Sequence, residues 1–311
     1  MKQSLRALLS GIIDYAGMFP PARLSAEETV HNYLEYRRGE HGWMLGKLVC
    51  AYDRLPTVLS LLDSNPLMER DAKVSLSLVI PSNESVHLDG LADVLRSKRV
   101  EDFLLRFAGR VAIASLELKL QRHSGRSWPP LCPVGSVFHE MSSNEDLRSE
   151  SETFFMDIAK YYSDAKLKNR SPIGFKLRTG GLKAADFPSV EQTAFLISGC
   201  RVLRIPWKAT AGLHQPLRRW DASIGVKMYG FLNLACASVL AATHLLQPSV
   251  IAEVLRDESI DNFTFDDDGF RWRDLEATIS DIVHCRERGF QSFGSCSFEE
   301  PIEGLRQLGW L

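Results

Sequence analysis

Apolar, partly β-branched runs punctuate the first two thirds of the chain: "GKLVCAY" (46–52), "KVSLSLVI" (73–80), "RVAIASLELKL" (110–120), "TFFMDIA" (153–159), "IGFKLR" (173–178) and "RVLRIPWKA" (201–209). Most are too continuous for strands with one wet face and read as strands covered on both sides. Helical segments lie between them. "SAEETVHNYLEYRRG" (25–39) opens with Ser25 and Glu28 in capping-box spacing and closes on Gly39. "DGLADVLRSK" (89–98) and "SVEQTAFLISGC" (189–200) fill two later gaps. Two more candidate strands come late, "DNFTFDDDGFRW" (261–272) and "GFQSFGSCSF" (289–298). After the second, Ser297 and Glu300 repeat the capping-box spacing at the head of a terminal helix.

Eight strands with helical crossovers predict an α/β fold, a (β/α)8 TIM-type barrel formed by one domain over 1–311. Residues 1–45 read as an N-terminal extension and 121–150, rich in Pro and Ser, as an irregular connection. The alternative is an open doubly wound sheet, but no G-x-G-x-x-G follows an early strand.

Composition narrows the function classes. Lys and Arg number 37 against 39 Asp and Glu, a net charge of −2, so the chain carries no electrostatic footprint for nucleic acid or an anionic membrane. The longest apolar run, 228–246, is interrupted by Asn233, Thr243 and His244. The first residues show no convincing cleavage site, and six cysteines without regular spacing read as reduced thiols. A cytoplasmic enzyme or binding protein for a small metabolite, with room for a homo-oligomer, is the expectation. "FDDDGFRW" lacks EF-hand spacing and reads as a turn with a solvated acidic tip; the eight histidines form no zinc pattern. No metal or cofactor is expected.

The chemistry concentrates in "IGFKLRTGG" (173–181) and "IPWKATAGLH" (205–214), each an apolar run delivering a lysine, a threonine and then glycine. In a barrel, strand ends of this kind face the active site. Lys176 and Lys208 converging there would depress each other's pKa, and a partly neutral lysine can attack a carbonyl to form an imine. Arg178, two residues past Lys176, shares its face and suits a carboxylate or phosphate clamp. Glu117 and Asp157, carboxylates set in apolar runs, are candidate acid/base groups or structural counter-ions. His214 could shuttle protons. Cys296, before a helix start, could be a stabilised thiolate with His214 as base.

The patches "FKLRTGG", "WKATAGLH" and "FGSCSF" resemble the late-strand signatures of class I deoxyribose-phosphate aldolases. That resemblance implies that Lys176 is the imine lysine, Lys208 its tuning partner, and Gly180, Gly181, Gly212 and Ser295 an anion site. Thr179 and Thr210, in the same turns, join the substrate-binding set. Arg178 stands where that family has a small polar residue. The expected function is thus a cofactor-independent lyase acting on a small oxo or phosphorylated compound. Two alternatives remain: a barrel isomerase or hydrolase whose cations bind an anion without an imine, and a non-catalytic binding protein for a small anionic metabolite.

Overall fold

The predicted barrel forms, but two of its eight strands are segments that the apolar pattern passed over. The structure, a computed structural model, describes residues 1–69, 73–80, 109–119, 135–141, 147–163 and 172–311. The elements run α1 (Gln3–Leu9), β1 (Ile13–Tyr15), α2 (Ala26–Arg38), β2 (Leu45–Ala51), α3 (Leu55–Ser64), β3 (Val74–Ile80), β4 (Val111–Lys119) and β5 (Ser136–Met141). There follow α4 (Leu147–Ser163), β6 (Ile173–Arg178), α5 (Val190–Leu203), β7 (Trp207–Thr210), and a hairpin of β8 (Arg219–Asp221) and β9 (Val226–Met228). The chain ends with α6 (Phe231–His244), α7 (Pro248–Arg256), β10 (Phe263–Phe265), β11 (Gly269–Trp272), β12 (Leu275–Thr278), α8 (Ile279–Arg288), β13 (Phe290–Ser295) and α9 (Glu299–Gln307). The closed sheet has the order β1-β13-β7-β6-β5-β4-β3-β2, with β1 returning to β2, and every pair is parallel.

Three expectations need correction. The segment 153–159 is not a strand but the middle of α4, whose buried residues Leu147, Ser151, Phe154, Phe155, Ile158 and Tyr161 recur at helical spacing. The stretch 121–150 is not wholly irregular, because it contains β5, and 1–45 is not simply an extension, because it contains β1. With β1 in the barrel, Lys176 falls on the sixth barrel strand and Lys208 on the seventh. The third concerns 261–272, which forms β10 and β11 of a separate antiparallel sheet that packs against α1, α6 and α8. Its acidic tip is a turn as expected: the Asp266 carboxylate accepts the backbone N–H groups of Asp268 and Gly269. The expected helix at 89–98 lies outside the described residues.

The expected capping box at 25–28 forms, and a second, which the sequence reading did not single out, forms at 189–192. Ser25 and Ser189 accept from the backbone N–H three residues on, with Glu28 and Gln192 reaching back. The apolar run near 228–246 becomes α6, buried on every face from Phe231 to Ala241. Its interrupting Asn233 fastens the helix to its surroundings, donating to the Val254 and Asp257 carbonyls and accepting from Arg218 N–H. No helix among the described residues is long and apolar enough to cross a membrane.

Candidate active site

A small parallel barrel usually fills its interior with branched apolar side chains. Here the interior is charged. β6 and β7 lie in register with Lys176 opposite Lys208, and Glu140 on β5 lies opposite Lys176. From β4, Glu117 reaches between the two lysines: its Oε2 is 2.5 Å from Lys176 Nζ, and its Oε1 is 2.6 Å from Lys208 Nζ. Ser77 donates to the same Oε1 at 2.6 Å. On the far side, Lys208 donates to Asp14 Oδ2 of β1 at 2.6 Å, where Ser292 of β13 also donates. Lys47 closes that end, its backbone N–H donating to Asp14 Oδ1 and its Nζ 3.8 Å from Oδ2. At the other end, Lys176 meets Glu140 Oε2 at 2.6 Å, and Arg178 Nη1 stands 3.7 Å from Glu140 Oε1.

The result is a ladder of alternating charge, Lys47–Asp14–Lys208–Glu117–Lys176–Glu140–Arg178. Burial of such charges is tolerable only because each has a partner of opposite sign. Side-chain exposure is 21% at Lys47, falls to 0% at Asp14, and from there rises through 1% at Lys208, 2% at Glu117, 6% at Lys176 and 16% at Glu140 to 42% at Arg178. The gradient makes Lys176, not Lys208, the amine nearer the mouth. Lys208 has two carboxylate partners and the Phe138 ring 5.6 Å from its Nζ, and Lys176 has two carboxylate partners among the described residues.

The electrostatics reverse the sequence expectation. The two lysines do not depress each other, because Glu117 stands between them. Burial pulls Lys176 down, but Glu117 and Glu140 more than offset it, so its pKa lies above the ordinary value. Lys208 is raised likewise, with Asp14 and Glu117 overcoming burial. Burial pushes Asp14 up, yet Lys208 and Lys47 hold it below its usual range, and Glu117 is held low by Lys176 and Lys208 against the same penalty. The ladder amine whose pKa falls is Lys47: Asp14 raises it, but desolvation and the nearby Lys208 and Arg286 prevail.

Gly46 makes room for this arrangement, since a Cβ there would lie 2.5 Å from Asp14 Oδ1 and 2.8 Å from the Gly11 carbonyl. Gly46→Ala is expected to cost about 1–3 kcal/mol, read as a lowered urea midpoint, because neither backbone nor buried carboxylate can move aside cheaply.

The remaining predicted site residues scatter. Asp157 sits on α4, on the outside of the barrel, and is no candidate for acid/base work at the lysines. Thr179 is fully buried, and its hydroxyl donates to the carbonyls of Ala211 and Thr210, tying the two loops together. Gly180 and Gly212 pack face to face: a Cβ on Gly180 would meet Gly212 Cα at 3.0 Å, and Gly212 has φ +73°. Asp186 occupies the space beside Gly181. Ser295 Oγ donates to the Ser297 carbonyl at 2.6 Å. Thr210, in register with Arg178, stays at the mouth. His214 is placed 2.7 Å from Glu300, which diverts that glutamate from the capping-box role, although Ser297 still accepts from Glu300 N–H. Cys296 is no stabilised thiolate, because partial burial pushes its thiol pKa up. The sequence reading missed Glu140, Asp14 as a ladder member, and Lys47. Alternation along "SVFHEM", with Glu140 on the face of Phe138, was the available signal for the first.

The surface cleft between α2 and α9, lined by Tyr36, Phe298 and several glutamates, holds none of the ladder residues. Among the described residues no group of three or more His, Cys, Asp or Glu could hold a metal ion. Comparison of the chain with family models, with curated proteins and with solved structures finds no match in any of the three.

Proposed function

We propose that the protein is an aldolase-type lyase in which Lys176 forms an imine with a small oxo compound. The supporting observation is the position of Lys176 Nζ, near the mouth of the barrel and hydrogen-bonded to two carboxylates. In this reading Glu140 takes a proton from the Lys176 ammonium, and the freed amine attacks the substrate carbonyl carbon. The carbinolamine hydroxyl leaves as water with the proton that Glu140 returns, and the iminium then accepts, becoming an enamine, the electron pair of the bond between the α and β carbons as it breaks. Glu117 and Lys208 hold the amine in place and keep the site's charge balanced.

A second reading has an observation of its own. Both buried lysines have raised pKa values, as expected of cations that bind an anion and never lose a proton. That would make the protein an isomerase, a hydrolase or a non-catalytic binder of a small anion.

Borohydride trapping with a panel of aldehydes and oxo acids, mapped by peptide mass spectrometry, separates the two. The lyase reading expects a reduced adduct on Lys176 that is lost in Lys176→Met. Because the resting amine is protonated beyond the ordinary lysine value, trapping is expected to rise steadily from pH 7 to above pH 10. An adduct on Lys47 instead would move the imine to β2, and no adduct on any lysine would leave the anion-binding reading.

A further inference from the structure

We propose, building on the imine reading, that the substrate is a 2-oxo acid whose carboxylate binds Arg178 while its C2 carbonyl meets Lys176. The charge ladder is the starting point. Its four cations face three carboxylates, and the surplus cation is the outermost one. Among the described residues Arg178 makes a single contact, the 3.7 Å ion pair with Glu140, which is longer than a hydrogen bond. Among the described residues its guanidinium is therefore partnered in charge but open in its donor directions, the condition in which an arginine fork takes a carboxylate with two parallel hydrogen bonds.

Spacing favours a carboxylate next to the reacting carbon. Lys176 and Arg178 already bracket one carboxylate, that of Glu140, with Nζ at one oxygen and Nη1 nearer the other. A 2-oxo acid places its carbonyl carbon and its carboxylate on adjacent atoms, so it suits a short span between Lys176 Nζ and the donors of Arg178 that Glu140 leaves free. A phosphate carried several carbons away would need a separate cradle. Among the described residues, most of the groups that would form one are engaged: the hydroxyls of Thr179 and Ser295 donate to carbonyls, and the Gly180 and Gly212 turns are packed against each other.

The chemistry balances without a redox partner. Nζ forms a bond to C2, the C2 oxygen leaves as water, and the iminium stands beside the carboxylate held by Arg178. In a 4-hydroxy-2-oxo acid the C3–C4 bond then breaks. Its electron pair moves through C3 and C2 to nitrogen, the C4 hydroxyl gives its proton to a base, and an aldehyde departs. Protonation of C3 and hydrolysis of the imine by water release the shorter 2-oxo acid and restore Lys176.

The test compares borohydride trapping of pyruvate, acetaldehyde and glyceraldehyde 3-phosphate on the full chain. Pyruvate is expected to be trapped on Lys176 at the lowest concentration. Its preference over acetaldehyde is expected to collapse by about 10- to 100-fold in Arg178→Leu, the scale of a charge-assisted hydrogen-bonded contact, and to return in part in Arg178→Lys. Preferred trapping of glyceraldehyde 3-phosphate, or an unchanged pyruvate preference in Arg178→Leu, would overturn the 2-oxo acid assignment and leave the imine standing. No adduct with any of the three would overturn both.

Discussion

Replacing Lys208 by methionine is expected to destabilise the protein by about 3–5 kcal/mol, the cost of leaving a buried charge without its partner. The substitution keeps the length and the apolar stem of the side chain, so little of the loss can come from a cavity. What it removes is the ammonium that joins Asp14 to Glu117 in the centre of the barrel. Glu117 keeps Lys176, but Asp14 is left with two hydrogen bonds and Lys47 at 3.8 Å. Against a total stability of roughly 5–15 kcal/mol for an ordinary domain, that is a large fraction. A urea midpoint measures it, and a loss below about 1 kcal/mol would mean that these charges are solvated, against their burial.

The pH dependence of the same pair gives a check on cause. In the native protein Asp14 and Glu117 are held below their unfolded values. Their contribution is present above about pH 4 and is lost as pH falls through the folded values. Lys176 and Lys208 are raised, so theirs is complete below about pH 10.4 and is lost as pH rises through the folded values. In Lys208→Met the sign at the acid end is expected to reverse for Asp14, its folded value rising, because burial is the largest influence on that carboxyl and only Lys47 is left to oppose it. The variant is then expected to recover part of its deficit as the pH is lowered through that raised value, while the native protein gains nothing there.

The legible part of this fold was the part built from apolar strands. β2, β3, β4, β6 and β13 announce themselves because their outward faces pack under helices. β1 and β5 did not: β1 is three residues long with Asp14 at its centre, and β5 sets His139 and Glu140 side by side, so neither leaves a long apolar run. α4 was misread for the opposite reason, since Phe154, Phe155 and Ile158 lie close enough in sequence to resemble a continuous strand. The two lysines were legible by their matching turns, and Glu117 as a carboxylate in an apolar run. Their electrostatics were not. The sign of a lysine's shift depends on what stands between it and its neighbour, and Glu117 stands there only because β4 is folded to face β6 and β7 across the barrel.

On the lyase reading proposed above, Glu140→Gln is expected to slow imine formation on Lys176 by about 10²- to 10⁴-fold near neutral pH, the contribution of a positioned acid/base group. A protonated lysine cannot attack a carbonyl, so a base in contact with it must take the proton. Glu117 touches Lys176, but Lys208 and Ser77 share its oxygens and its pKa is held low, which makes it a poor base. Glu140 also touches Lys176, and at 16% exposed it stands nearer solvent than Glu117. Glutamine preserves its volume and one acceptor but cannot carry the proton. The substitution also removes one of the charges that raises Lys176, so the variant amine should deprotonate at lower pH than in the native protein. These two effects oppose each other, and their balance is diagnostic. If Glu140 were only a counter-ion, its loss would free the amine and speed trapping at pH 7; slower trapping there, with the gap to the native protein narrowing above pH 10, is the signature of a carboxylate that moves the proton.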